Sequence, residues 1–125
     1  MVEDLLPILR DRYPEFFSHA PLREIGCLPG WRGLLDELCG ALTTYLKAHP
    51  EVPQVRARQV KEKFGGLRFY YSGGDATCRE LIARAEERSL ATCEVCGRAG
   101  MLGGEDWLRV RCLEHVNWLP PSDCA

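Results

Sequence analysis

Residues 55–71 read VRARQVKEKFGGLRFYY, and this stretch decides the fold class. Two runs rich in β-branched and aromatic residues flank Gly65-Gly66, a pair that can adopt positive φ and so close a two-residue turn. The pattern predicts a β-hairpin with Phe64 opposite Leu67. In that register Val60, Glu62, Phe64, Leu67, Phe69 and Tyr71 share one face, while Lys61, Lys63, Arg68 and Tyr70 share the other. The first face is the core face, and Glu62 is its one misfit. A carboxylate there must be paired, hydrogen-bonded or protonated, and pairing with a nearby arginine is the plainest expectation. The second face is basic. Residues 55–71 carry Arg56, Arg58, Lys61, Lys63 and Arg68 against Glu62, a local charge of +4 in a chain of net charge −2. Such a strip, with Tyr70 in it, suits phosphate or RNA; a solvated face that discourages edge pairing is the plainer reading.

Helical segments lie on both sides of the hairpin. Residues 1–17 carry Leu5, Leu6, Leu9, Phe16 and Phe17, with breaks expected at Pro7 and Pro14. Residues 18–30, with His19, Pro21, Gly26, Pro29 and Gly30, read as loop. Trp31, Leu34, Leu35, Leu38, Leu42, Tyr45 and Leu46 fall on one side of a 3.6-residue helix that Pro50 closes. After Ser72-Gly73-Gly74, Asp75 can cap a helix to about residue 91, with Cys78, Leu81, Ile82 and Ala85 as a narrow apolar stripe.

The 125 residues suit one domain, and 46% hydrophobic content is enough for a real core. A pI near 5.9 gives no overall nucleic-acid signal. No apolar run is long enough to cross a membrane, and Glu3 and Asp4 sit where a secretory signal would be basic. The expectation is a soluble cytoplasmic protein. Seven cysteines is an odd number for a disulfide framework. Cys27, Cys39 and Cys78 are scattered through apolar segments, as buried thiols in a reducing compartment would be.

The late cysteines carry a different signal. Cys93-Glu-Val-Cys96-Gly97 is followed, 15 residues later, by Cys112-Leu-Glu-His115. Two pairs with this spacing offer three thiolates and an imidazole, suited to one tetrahedral zinc ion. Gly97 permits a tight turn behind the first pair, and the segment through Leu108 and Val110 reads as a strand leading to the second. A redox CxxC belongs beside a βαβ pattern, which is missing, and a zinc deaminase needs an H-x-E before its cysteine pair. Four protein ligands leave no position for an activated water, so the ion is structural. Cys124 is a weaker substitute ligand. Trp107 and Trp118 flank the module, where they would dock it on the body; an exposed tryptophan there would instead mark a partner surface.

The segments GCLPGWRGLLDELCGAL (26–42), QVKEKFGGLRFYYSGGD (59–75), TCEVCGRAG (92–100) and RCLEH (111–115) together resemble a family of small, largely uncharacterised bacterial and prophage proteins. The resemblance spans about residues 11–116. It implies that the VKEKFGGLR hairpin and the four metal ligands are the family's signature, and that an immunity or antagonist role against another protein would suit the chain. Leu28-Pro29 and the PPSDCA tail depart from the family pattern.

The expected fold is α+β: N-terminal helices packed with a β-hairpin and a further helix, then a C-terminal treble-clef or zinc-ribbon-like finger. Residues 1–91 form the body and 92–125 the finger, docked on it as one unit. No catalytic constellation is visible; His19 and His49 carry no catalytic role. The leading functional expectation is a non-enzymatic, zinc-stabilised module that binds another protein. A nucleic-acid-binding regulator using Lys61, Lys63, Arg68 and Tyr70 is the alternative, and an enzyme built around Glu62 is the most remote.

Overall fold

The computed structural model describes residues 4–18, 22–105 and 107–118; His19, Pro21 and Cys124 lie outside them. The chain opens with α1 (Leu6–Arg12) and α2 (Pro14–Phe17). Pro7 starts α1 instead of interrupting it, because a first-turn residue has no intrahelical use for an N–H. Pro14 begins α2 in the same way, so the break expected there is a helix start. Leu5, Leu6, Leu9, Phe16 and Phe17 are buried.

The segment read as loop contains a two-residue strand, β1 (Ile25–Gly26), and a 3₁₀ turn (Pro29–Trp31) that leads into α3 (Arg32–Ala48). Strands β2 (Arg56–Lys63) and β3 (Gly66–Ser72) form the expected hairpin. β1 adds to it in parallel, with Ile25 opposite Val60, giving a three-stranded sheet in the order β1-β2-β3. A strand of two residues has no alternation to read, which is why the sequence pattern misses it. After β3, Asp75 accepts a hydrogen bond from the Cys78 N–H (3.1 Å) and caps α4 (Ala76–Ser89) as expected. A two-stranded sheet, β4 (Met101–Gly103) and β5 (Arg109–Arg111), and a 3₁₀ turn (Leu113–His115) complete the order. The fold class is thus mixed α+β.

The hairpin turn differs from its expected position. Lys63 pairs with Gly66, so Phe64 and Gly65 are the turn residues, at φ 54° and 86°. Both central residues take positive φ, as a type I′ turn requires. Moving the turn by one residue changes each pairing by two, which preserves parity. Val60, Glu62, Leu67 and Phe69 therefore still share the inner face, and Lys61 lies opposite Arg68 on the outer one. Phe64 leaves the core face altogether and is 68% exposed. Arg58 is the extra residue of a bulge between Ala57 and Gln59.

The core lies between the inner sheet face and the helices. Trp31, Leu35, Leu42, Phe17, Val60 and Leu67 are almost wholly buried, and Phe17 meets Phe69 edge-on at 6.4 Å. Helix α4 lies against β3, where the side chains of Ser89 and Glu86 accept hydrogen bonds from the Leu67 and Phe69 N–H groups (both 2.9 Å). Those bonds occupy donors that an edge strand would otherwise present to another chain.

The C-terminal segment is fastened to this body through the 28–31 loop. Gly30 donates its N–H to the Glu94 carbonyl (2.7 Å), Leu28 donates to the Glu94 carboxylate (3.0 Å), and the Trp31 indole donates to the Thr92 carbonyl (3.0 Å). A Cβ on Gly30 would stand 2.5 Å from the Cys93 carbonyl oxygen and collide with that of Glu94. Trp31, Leu28 and Gly30 do the docking that Trp107 and Trp118 were expected to do. Trp107 is 54% exposed and Trp118 is half-buried.

Two substitutions test this architecture. Gly30→Ala is expected to lower unfolding free energy by about 2 kcal/mol, a typical cost of overpacking, read from the urea midpoint. Phe64→Asn is expected to raise it by about 1 kcal/mol, because asparagine accepts the left-handed region more readily than phenylalanine. That gain would be a midpoint shift at unchanged denaturant slope.

Candidate metal centre

The first ligand pair sits on a tight backbone loop. Gly97 donates to the Cys93 carbonyl (2.8 Å), Cys93 donates to the Arg98 carbonyl (2.7 Å), and Gly97 takes φ 82°. β4 and β5 then carry the chain out and back. Cys112 follows β5 in extended conformation, and His115 closes the 3₁₀ turn by donating its N–H to the Cys112 carbonyl (3.1 Å). The second pair is therefore spaced by a helical turn, as the sequence suggests.

The four side chains converge. One ligand atom from each of Cys93, Cys96, Cys112 and His115 lies within 4.8 Å of all the others. Cys96 Sγ to Cys112 Sγ is 3.7 Å, Cys93 Sγ to His115 Nδ1 is 3.8 Å, and Cys112 Sγ to His115 Nδ1 is 3.2 Å. A tetrahedron with metal–sulfur distances of about 2.3 Å has sulfur–sulfur edges of about 3.8 Å. The group has the dimensions and donors to hold a metal ion. Cys93 is buried, Cys112 and His115 are half-buried, and Cys96 is exposed.

The electrostatics point the same way. Burial pushes the Cys93 thiol up, but the N–H groups of Cys112, Cys96 and Val95 and the Cys96 side chain outweigh it and bring the value down to about 6. At Cys96 the Arg98 N–H favours the thiolate, yet lost hydration and the neighbouring Cys112 and Cys93 sulfurs hold the thiol above its ordinary value. One thiolate forms readily and discourages the next; a bound cation removes that conflict. The other described cysteines stand apart, all as free thiols. Burial holds Cys27 well above the usual range and pushes Cys39 up to about 12.

Beneath the loop lies a feature the sequence reading missed. Glu94 and Arg111, each next to a metal ligand, form an ion pair at 3.3 Å with side chains 6% and 7% exposed. Burial raises the Glu94 carboxyl, opposed by the Leu28 N–H and by Arg111. Arg111 also donates to the Val110 carbonyl and lies over the Trp118 ring, 5.7 Å from its centre. Alternation along β5 suggests that Arg111 faces solvent opposite Val110. Both are buried, Arg111 against Glu94. A glutamate inside a Cys-x-x-Cys pair is the one hint the sequence carries.

The hairpin candidates lie apart from this cluster. Lys61, Arg68 and Tyr70 are on the outer sheet face and Lys63 is at the tip, 5.7 Å from the centre of the Phe64 ring. No ion pair among the described residues includes Arg56, Arg58, Lys61, Lys63 or Arg68. Glu62 corrects its expectation: no arginine pairs with it among those residues. Its carboxylate instead accepts the Gly65 N–H (2.7 Å), tying the turn, and it is half-buried at the end of the core face. It lines a cleft of about 330 Å³ with Glu94, Arg109 and Arg111. His49 ends α3 with its ring stacked on Tyr45 and Nδ1 3.0 Å from the Tyr45 carbonyl, a local structural role. No helix among the described residues is long and apolar enough to cross a membrane. Comparison of the chain with protein-family models, with curated proteins and with solved structures finds no match.

A thiol whose folded value lies near 6, below its ordinary 9, favours the folded chain increasingly between pH 6 and 9, and not below 6. Protons compete with an ion for the same sulfurs and imidazole, so metal retention is expected to fall as pH drops. Metal content after dialysis across that range, with melting temperature measured in parallel, checks it.

Proposed function

We propose that this chain is a zinc-stapled docking module that binds another protein without performing chemistry at its metal. Three thiolates and an imidazole at tetrahedral spacing suit zinc above other common ions, and four protein ligands close the coordination shell. The order of tight loop, two-stranded sheet and helical turn supports reading the segment as a treble-clef-like finger. Free thiols at all six described cysteines support a reducing, cytoplasmic setting.

The observation that carries the docking role is the apolar surface beside the staple. Leu113 is 92% exposed, Met101 79% and Val116 57%, and with Leu102 they line a groove of about 450 Å³ next to Cys112. Large apolar side chains held on a rigid frame mark an interaction site. Gly65 lies against Leu102 and Arg109, so the turn bearing Lys63 borders this groove. The hairpin cations, which form no ion pair among the described residues, and the apolar groove together fit a partner segment with apolar side chains flanked by carboxylates. An immunity or antagonist protein, as the family resemblance suggests, is one form of this role.

Cross-linked capture from the native host, using zinc-replete wild type and the variants Leu113→Asp and Met101→Asp, tests the reading. A partner held by the wild type, lost from both variants while they retain zinc, and released by salt is expected. Recovery of the same proteins by all three, or of none, overturns it. The basic face, with Tyr70 42% exposed, favours a second reading as a nucleic-acid binder. In that case RNA or DNA affinity would fall steeply with salt, and reversing Lys61, Lys63 and Arg68 to glutamate would abolish it.

A further inference from the structure

The four side chains of the Cys/His cluster are unevenly exposed. Cys93 is fully buried and Cys112 half-buried, whereas Cys96 is open to solvent. The described cysteines outside the cluster, Cys27, Cys39 and Cys78, are at most 8% exposed. Among the described thiols, a small oxidant in solution therefore meets Cys96 first. Cysteines that respond to oxidants combine an accessible sulfur with a second thiol close enough to resolve the first product. Cys96 has both, since the Cys112 Sγ lies 3.7 Å away. A disulfide holds its sulfurs about 2.0 Å apart, so joining the two draws at least one of them out of its place in the cluster.

Moving Cys112 has a consequence beyond the cluster. Cys112 lines the apolar groove and precedes the 3₁₀ turn that carries Leu113, and its carbonyl accepts the His115 N–H. Once Cys96 and Cys112 are bonded to each other, Cys93 and His115 are the two donors left, too few for tetrahedral zinc. We propose that Cys96 is a site of peroxide modification that forms a disulfide with Cys112, releasing the ion and dismantling the docking groove. This regulation rests on the zinc-stapled docking role. In the first step the Cys96 thiolate attacks one oxygen of hydrogen peroxide. The O–O bond breaks, the sulfur becomes a sulfenic acid, and hydroxide leaves. The Cys112 thiolate then attacks that sulfur, the S–S bond forms, and a second hydroxide leaves. The two sulfurs lose two electrons, the peroxide gains them, and two protons convert the hydroxides to water. Reduction by a dithiol restores both ligands, as a transient disulfide in a reducing compartment requires.

The test treats the zinc-loaded full chain with hydrogen peroxide while a chromogenic chelator reads free zinc and peptide mass spectrometry maps disulfides. Zinc release in step with a Cys96–Cys112 disulfide is expected, with faster hydrogen exchange at His115, and dithiothreitol with added zinc reverses all three. Cys124→Ser is expected to behave as the wild type. Cys96→His keeps four ligand side chains without the exposed thiol, and is expected to lose zinc roughly tenfold more slowly. Zinc retained under peroxide, a disulfide between any other pair, or oxidation to sulfinic acid without a disulfide overturns the proposal. Equal zinc loss from Cys96→His does the same; if that variant binds no zinc, the wild-type disulfide map decides. A purified wild-type chain that takes up no zinc sinks the metal reading instead, and its disulfide map after peroxide still decides whether Cys96 and Cys112 pair.

Discussion

The 2.7 Å hydrogen bond from the Gly30 N–H to the Glu94 carbonyl is the joint on which the C-terminal third depends. A loop bearing two metal ligands could be rigid in itself and still swing as a unit. Here its backbone is fixed by backbone, and the approach is so close that only a residue without Cβ fits at position 30. The Trp31 indole adds a second bond to Thr92 while its ring fills the body's core. One short segment thus belongs to both cores. The C-terminal segment behaves less as an attached finger than as the last layer of a single fold.

That joint also explains how the chain tolerates a buried ion pair. Glu94 and Arg111 are withdrawn from water at a cost that their mutual attraction does not reliably repay. The Leu28 N–H shares the carboxylate's charge, and the Val110 carbonyl shares the guanidinium's. Those partners exist because the 28–31 loop is docked and β5 is paired to β4. With an ion bound, its removal would loosen the turn that runs from Cys112 to His115, and with it the strand that presents Arg111. The Cys/His cluster, ion pair and docking loop are therefore coupled, although the charged pair contributes more to the specificity of the arrangement than to its net stability.

Much of this was legible in the residues, and the failures share a cause. The Cys/His cluster that could hold an ion, the long helix from Trp31, the Asp75 cap and the two hairpin faces all follow from short-range spacing, which sequence records directly. The turn position was missed because Gly65-Gly66 looks like an ideal turn pair, whereas the chain places Phe64 at positive φ and sets Gly66 in β3. Gly66 there stands close to Leu90, which leaves little room for a side chain. β1, the Glu94–Arg111 pair and the cleft were invisible for a different reason. Each is made by segments far apart in the chain, and none has a periodicity of its own.

Glu62 shows how the two kinds of information combine. Parity places it on the inner face, and no one-residue displacement of the turn changes that. Its surroundings, however, are set by where the core stops. Val60 and Leu67 lie within the core, while Glu62 is at the end of β2 facing the gap left between the hairpin and the docked segment. The gap exists because the hairpin tip meets the β4–β5 sheet at Gly65 while the 28–31 loop meets the metal-binding loop at Gly30, two separate points of contact. A polar residue between two such contacts does not violate the core pattern. It faces the space that the contacts enclose, and its charge gives that space its character.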